Sequence, residues 1–270
     1  MAQPFFIVSS GRSGTAMLHK ALSAKPGIVM HHEYSVQITQ PLGVRRYLGL
    51  ISEAATRKIL NETFGAAIHY CRGTHWGDSS NKLSWLIPDL AALFPQAHFV
   101  HLVRDGRKVA SSYFHKLGAE NYDDHSNAVM QAHYDGAGPI PPPEKPYWWP
   151  VPRHDDPIAQ TFRDFNQFQR ICWHWAEINR IAQAHLPPAR TWFVRLEDLR
   201  QSAAQVRGLY DFLGVRFAES DFDVFARPHN VHQPQDRLLD AIQREQFQAI
   251  AGPMMTRLGY DTRSEYRVSY

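Results

Sequence analysis

Cysteine is scarce in this 270-residue chain: only Cys71 and Cys172 are present, far apart and without metal-ligand spacing. A disulfide framework and a thiolate metal site are thereby excluded, and a reducing, cytoplasmic setting with two buried thiols is expected. Long hydrophobic runs are also missing. No stretch approaches the ~20 apolar residues of a membrane helix, and no basic leader with a cleavable apolar segment opens the chain, so neither membrane insertion nor export is expected. Strong charge is lacking too, since the net value is +3 and the basic residues are scattered. A nucleic-acid partner needs a concentrated basic face, so none is expected. Histidine is plentiful, with fifteen residues, yet no two stand in an H-x-x-x-H ligand pair, and no metal site is expected. Neither an internal repeat nor a linker divides the sequence, and its length suits one domain over residues 1–270.

What the chain does have begins at its N-terminus. The apolar run Phe5-Phe6-Ile7-Val8 leads into Ser9-Ser10-Gly11-Arg12-Ser13-Gly14-Thr15, after which Leu18, Ala21 and Leu22 recur at helical spacing until Pro26-Gly27. Strand, glycine-bearing turn and helix N-terminus in that order make an anion cradle, because the first helical N–H groups lack partners and the helix dipole favours negative charge. Gly11 and Gly14 allow close backbone approach, Arg12 adds a fixed charge, and Ser13 and Thr15 add hydroxyls. The loop is not a standard triphosphate loop, for only two residues separate its glycines and no Lys precedes Thr15.

A short strand from Ile28 follows, and a right-handed crossover places it parallel to the first with the two C-terminal ends together. His31, His32 and Glu33 then lie near the loop, and strand alternation leaves open which of them faces it. Residues 43–64 are expected to be helical, and 65–81 carry no clear pattern. His98 to Val103 is another apolar strand running into Arg104-Asp105-Gly106-Arg107 and a helix with Ser111 and Ser112. Ligands in open parallel sheets sit beyond the strands' carboxyl ends, so Arg104 is expected to face the crevice of Gly11 to Thr15. Residues 118–157 are rich in Asn, Asp, Gly and His, with a proline run and Tyr147-Trp148-Trp149. They read as an irregular, lid-like insertion near the site. A helical stripe from Phe162 to Ala182, a strand at Thr191 to Arg195, and a mostly helical tail complete the chain. The fold expected is α/β: a P-loop-like three-layer fold with a central, mainly parallel sheet flanked by helices.

Two segments together resemble a known family. Gly11-Arg12-Ser13-Gly14-Thr15 is similar to the 5′-phosphosulfate loop of sulfotransferases that use 3′-phosphoadenosine 5′-phosphosulfate, and Val103-Arg104-Asp105-Gly106-Arg107 with Ser112 resembles their 3′-phosphate motif. Arg104 and Ser112 stand at the family's eight-residue interval, and Lys116 lies where the tyrosylprotein branch has a further basic residue. Val194 to Leu199, Phe212-Leu213-Gly214, Arg227-Pro228-His229-Asn230 and Leu258-Gly259-Tyr260-Asp261 are similar to later family segments. Leu196 replaces an adenine-contacting Tyr, and Ser79 stands where relatives often have a Lys.

The resemblance implies sulfonate transfer from 3′-phosphoadenosine 5′-phosphosulfate to a hydroxyl or amine of a small-molecule acceptor, leaving 3′-phosphoadenosine 5′-phosphate, without a metal. It implies donor binding by Gly11, Arg12, Ser13, Gly14, Thr15, Ala16, Arg104, Ser112 and Lys116, with Arg12 also catalytic. Glu33 lies twenty-one residues after Arg12, the interval of the base in the tyrosylprotein branch, and His32 and His31 are the alternatives. Two competing readings are a nucleotide kinase of related fold and a non-catalytic nucleotide-binding module.

Overall fold

Phe5, Phe6, Ile7 and Val8 are all wholly buried, and a strand can bury successive side chains only where both faces of its sheet are covered. The computed structural model, which describes residues 2–226 and 238–260, shows what covers them. Strand β1 (Gln3–Val8) is followed by α1 (Thr15–Ser23), β2 (Ile28–His32), α2 (Val36–Tyr47), α3 (Glu53–Leu60), α4 (Ala66–His69) and β3 (His75–Ser79). Next come α5 (Ile87–Leu93), β4 (His98–Val103), α6 (Gly106–Leu117), α7 (Asp124–Tyr134), α8 (Ala159–Phe162), α9 (Gln167–His185) and β5 (Thr191–Arg195). The described chain ends with α10 (Leu196–Gln201), α11 (Ala203–Leu213), α12 (Phe222–Ala226) and α13 (Ala241–Arg257).

The strands form one sheet in the order β2-β3-β1-β4-β5, and every neighbouring pair is parallel. Alternation along β1 sends Phe6 and Val8 to one face, where they meet Trp76, Phe99, Leu60, Phe64 and Ile178. Phe5 and Ile7 go to the other, against Leu18, Leu22, Val100, Val194 and Leu209. The architecture is thus α/β, with helices on both sides of a wholly parallel sheet. From β1 the chain first builds the β2 side and then crosses to β4 and β5, so the carboxyl end of β1 is the switch point where such sheets bind ligands.

Three local expectations change. Strand β3 lies in the stretch without a sequence pattern, and it occupies the place between β1 and β2. Its glycine has a distant cause: a Cβ on Gly77 would stand 2.2 Å from the Phe5 ring. Residues 43–64 do not form one helix, since α2 begins earlier and stops at Tyr47, and α3 starts afresh at an Ser52 cap. The 118–157 segment is not irregular throughout. It contains α7, capped by Asp123 Oδ1 accepting from Ser126 N–H at 2.9 Å, and Trp148, Trp149 and Val151 are buried in a third apolar cluster with α6, α9 and α13. Polar side chains at the helix start masked the helix in the sequence. Cys71 is half-buried, while Cys172 is buried; both are free thiols. Arg227-Pro228-His229-Asn230 and Asp261 lie outside the described residues. Among the described residues, no helix is long and apolar enough to cross a membrane.

Candidate functional site

The turn after β1 depends on left-handed backbone at Gly11 (φ 80°), Arg12 (φ 53°) and Gly14 (φ 98°). Gly11 is needed twice over, because a Cβ there would also stand 1.9 Å from the Tyr113 hydroxyl. Behind the turn, the Tyr113 hydroxyl donates to Ser10 O at 3.0 Å and accepts from Asn81 Nδ2 at 3.2 Å. His174 Nε2 also meets Ser10 O, at 3.2 Å. Burial pulls the His174 pKa down to about 3, so its ring is neutral and Nε2 carries the proton that a carbonyl requires. In front, no acceptor among the described residues meets the N–H groups of Arg12, Ser13 or Gly14, and those of Thr15 and Ala16 open the first turn of α1. Five successive backbone donors thus stand without an acceptor among the described residues in one turn and the helix start that follows it, an arrangement that fits an anionic group.

The Ser13 hydroxyl is turned inward, donating to Gly11 O at 2.9 Å, so this residue offers its backbone rather than its side chain. Thr15 is buried and Ala16 exposed. Arg104, at the end of β4, reaches across and donates from Nη1 to Arg12 O at 2.8 Å, and Arg12 Nε donates to Ser112 Oγ at 3.0 Å. Residues 92 and 100 positions apart in sequence are thereby in direct contact. Lys116 lies one helical turn beyond Ser112 on α6 and is exposed. Trp175 Nε1 donates to Arg104 O at 3.2 Å, and Glu197 accepts from Asp105 N–H at 3.1 Å and from the Tyr260 hydroxyl at 2.8 Å. These contacts fix the turn after β4. Leu196 packs on the loop itself, since a Cβ at Gly14 would stand 2.7 Å from its Cδ1.

At the end of β2 the three base candidates separate. The His31 ring lies 4.7 Å from Tyr34 and 5.2 Å from Trp76 by centroids, within the aromatic packing under the sheet. His32 is exposed, with Nδ1 2.9 Å from Ser79 O. Because a carbonyl only accepts, that contact puts the proton on Nδ1 and leaves the Nε2 lone pair free. Glu33 takes a left-handed backbone (φ 57°) and donates its N–H to Ser79 O at 3.1 Å. Its charge acts on Asp78, Lys82 and Tyr113, the last of which touches the phosphate-type loop at Ser10 O.

Sequence patterns missed two titratable groups here. Asp78 is buried in β3, where burial, with Glu33's charge adding to it, pushes its pKa up to about 7 against the help of the Tyr34 N–H donated at 3.1 Å. Its second oxygen has no hydrogen-bond partner among the described residues. Lys82, only 3% exposed, has its pKa brought down to about 7 by burial, against the opposing pull of Glu33. Its Nζ lies 4.1 Å from the centre of the Trp149 ring. Nothing local marks either residue, because their burial comes from remote segments. Among the described residues no group of three or more His, Cys, Asp or Glu is arranged to hold a metal ion.

Residues 4–137 match a sequence model described as the sulfotransferase family. A sulfotransferase from Alicyclobacillus acidocaldarius superposes with a TM-score of 0.53 at 15% identity, covering 96% of this chain and 95% of that one. The same fold is thus present in both. A sulfotransferase domain from the Synechococcus PCC 7002 olefin synthase gives 0.47 at 17% identity, with 94% of each chain covered, and one from the curacin biosynthetic pathway gives 0.46 at 16%, covering 91% of this chain and 83% of that one. No curated protein matches the sequence.

Proposed function

With its first half matching that family, this chain belongs to the sulfotransferases, and we propose that it transfers a sulfonate group from 3′-phosphoadenosine 5′-phosphosulfate to a hydroxyl or amine of a small-molecule acceptor. The observation that carries the reading is the contact chain Arg104 Nη1 to Arg12 O and Arg12 Nε to Ser112 Oγ. It joins a loop suited to one phosphate with a strand end suited to a second, as a donor with separate 5′ and 3′ phosphates requires. In this assignment Arg12 to Ala16 hold the 5′-phosphosulfate through backbone N–H groups, Gly11, whose own N–H is donated to Ser9 Oγ at 3.0 Å, gives the turn its close approach to the ligand, and Arg104, Ser112 and Lys116 bind the 3′-phosphate.

The acceptor oxygen or nitrogen forms its bond to sulfur while the bond from sulfur to the bridging phosphate oxygen breaks. Negative charge then grows on that oxygen, where the Arg12 guanidinium and the helix-end N–H groups are preorganised to meet it, each such donor contributing about 2.7–4 kcal/mol in comparable oxyanion sites. The acceptor's proton goes to Glu33. Its electrostatic reach to Tyr113 at the loop favours it over His31, whose ring is engaged in aromatic packing, and His32 Nε2 is the alternative. Two free cysteines suit a reducing, cytoplasmic setting.

The test is ligand stabilisation followed by turnover. 3′-Phosphoadenosine 5′-phosphate is expected to raise the melting temperature more than ATP with magnesium does, and an equal effect of ATP would favour kinase chemistry instead. Arg104→Ala is expected to weaken bisphosphate binding by roughly 10- to 150-fold, the range of one charge-assisted hydrogen bond. Glu33→Gln is expected to keep that affinity and lose turnover in a mass-spectrometric acceptor screen; full turnover in this variant removes Glu33 as the base.

A further inference from the structure

Lys82 has no role in the transfer just described, yet it is placed as a binding group. It lies three residues after the end of β3, beside Asn81, which reaches the loop through the Tyr113 hydroxyl. Its residue is 3% exposed, and no hydrogen bond or ion pair to its ammonium is found among the described residues. The ammonium stands over the face of the Trp149 ring, 4.1 Å from its centre. Cation–π contact offsets only part of the cost of removing an ammonium from water. The charges that act on it most are Glu33 and, from the 118–157 segment, Lys145 and Glu120, rather than the Arg12 and Arg104 side chains of the two-phosphate site. It therefore lies on the Glu33 side of the crevice, walled by Trp149.

We propose that the Lys82 ammonium is an oxyanion-binding point in the acceptor compartment, so that the preferred acceptor carries a carboxylate, phosphate or sulfate beside its nucleophilic group. The inference rests on the sulfotransferase reading, which makes the Glu33 side the acceptor side. A buried cation with no ion-pair partner among the described residues gains most from a ligand that brings one, and the Trp149 ring adds an apolar face for the body of that ligand. A neutral acceptor leaves the ammonium unpaired and so binds less tightly.

The experiment uses the full chain as wild type, Lys82→Met and Lys82→Arg, with the donor site first filled by 3′-phosphoadenosine 5′-phosphate. Thermal unfolding is followed in slightly acidic buffer while benzoate, phenyl phosphate or benzamide is titrated in. Wild type is expected to be stabilised saturably by benzoate or phenyl phosphate and not by benzamide. Lys82→Met should bind the anion at least about tenfold more weakly, and Lys82→Arg should keep most of the response. An identical anion response in Lys82→Met, an equal response to benzamide, or no wild-type response to either anion overturns the proposal. Paired turnover with 4-hydroxybenzoate and 4-hydroxybenzamide adds a second readout. Loss of preference for the acid in Lys82→Met supports acceptor recognition, whereas an equal fall for both acceptors assigns Lys82 to the leaving group and overturns it. If the bisphosphate itself fails to stabilise wild type, the sulfotransferase reading fails, and the anion titration is then read without it.

Discussion

Replacing Gly11 by Ala tests whether the phosphate-type loop is shaped by the residues behind it. The new Cβ would stand 1.9 Å from the Tyr113 hydroxyl and 3.0 Å from Asn81 Nδ2, at a backbone φ of 80°. The left-handed backbone alone costs about 1–2 kcal/mol. Displacing the Tyr113 hydroxyl also breaks its bonds to Ser10 O and from Asn81 Nδ2, at about 1 kcal/mol each. Ser10 O keeps its contact with His174 Nε2, so no larger penalty is due there. Gly11→Ala should therefore destabilise the protein by about 3–4 kcal/mol. In a Tyr113→Phe background the colliding oxygen and both bonds are already gone, and the glycine replacement should cost the backbone share plus only a small shift of Asn81 Nδ2 and the ring Cζ, 3.0 and 3.1 Å from the new Cβ. The two substitutions are expected to couple by about 2 kcal/mol in a urea-denaturation double-mutant cycle. Bisphosphate affinity should fall in Gly11→Ala and recover in part in the double variant. Additivity within about 0.5 kcal/mol would refute the claim that the Tyr113 hydroxyl sets the loop.

The buried titratable pair gives opposite pH signatures. Lys82 releases its proton near pH 7 in the folded state, against an ordinary value of 10.5 in the unfolded chain. Between these values the unfolded chain binds more protons, so stability rises with pH, and the cost of the charged ammonium is fully present below pH 7. Lys82→Met should stabilise the protein in mild acid by up to about 5 kcal/mol, with the gain shrinking toward pH 10; urea midpoints at several pH values measure it, and a pH-independent gain would contradict the assignment. Asp78 behaves in reverse, since its folded pKa of about 7 exceeds the ordinary 3.8. Its contribution is intact in acid and lost as pH rises through 7, so the advantage of Asp78→Asn should appear in that window and vanish in acid. The same titrations of the two variants check both signs, and a gain for Asp78→Asn that is largest in acid would reverse this account.

Much of the crevice at the carboxyl ends of β1 and β4 is readable from neighbours in sequence. Phe5 to Val8 and His98 to Val103 announce buried strands by composition alone, and Gly11, Gly14 and the Arg104 to Ser112 interval mark the turns that follow. Strand β3 is different. His75-Trp76-Gly77-Asp78-Ser79 has no apolar run, because Gly77 makes room for Phe5 and Asp78 is buried beneath the Glu33 turn. The 118–157 segment also hides its role, since its proline and polar content suggests a loose cover while the Trp148 and Trp149 rings are buried in the core and their indole N–H groups tie the segment to itself at Pro142 O and Glu120 O, at 2.8 Å each.

By itself, then, the sequence determined the parallel α/β class, the glycine-bearing turn after β1 and the arginine-bearing turn after β4, all of which depend on hydrogen bonding and periodicity within a few residues. Only the tertiary structure decided the strand order, the packing of the His31 ring against Tyr34 and Trp76, and the exposure of Lys82 to Glu33 and Trp149 instead of water. Those outcomes depend on which remote side chains remove a group from solvent, and desolvation is a property of the assembled surroundings rather than of the residue or its neighbours in the chain.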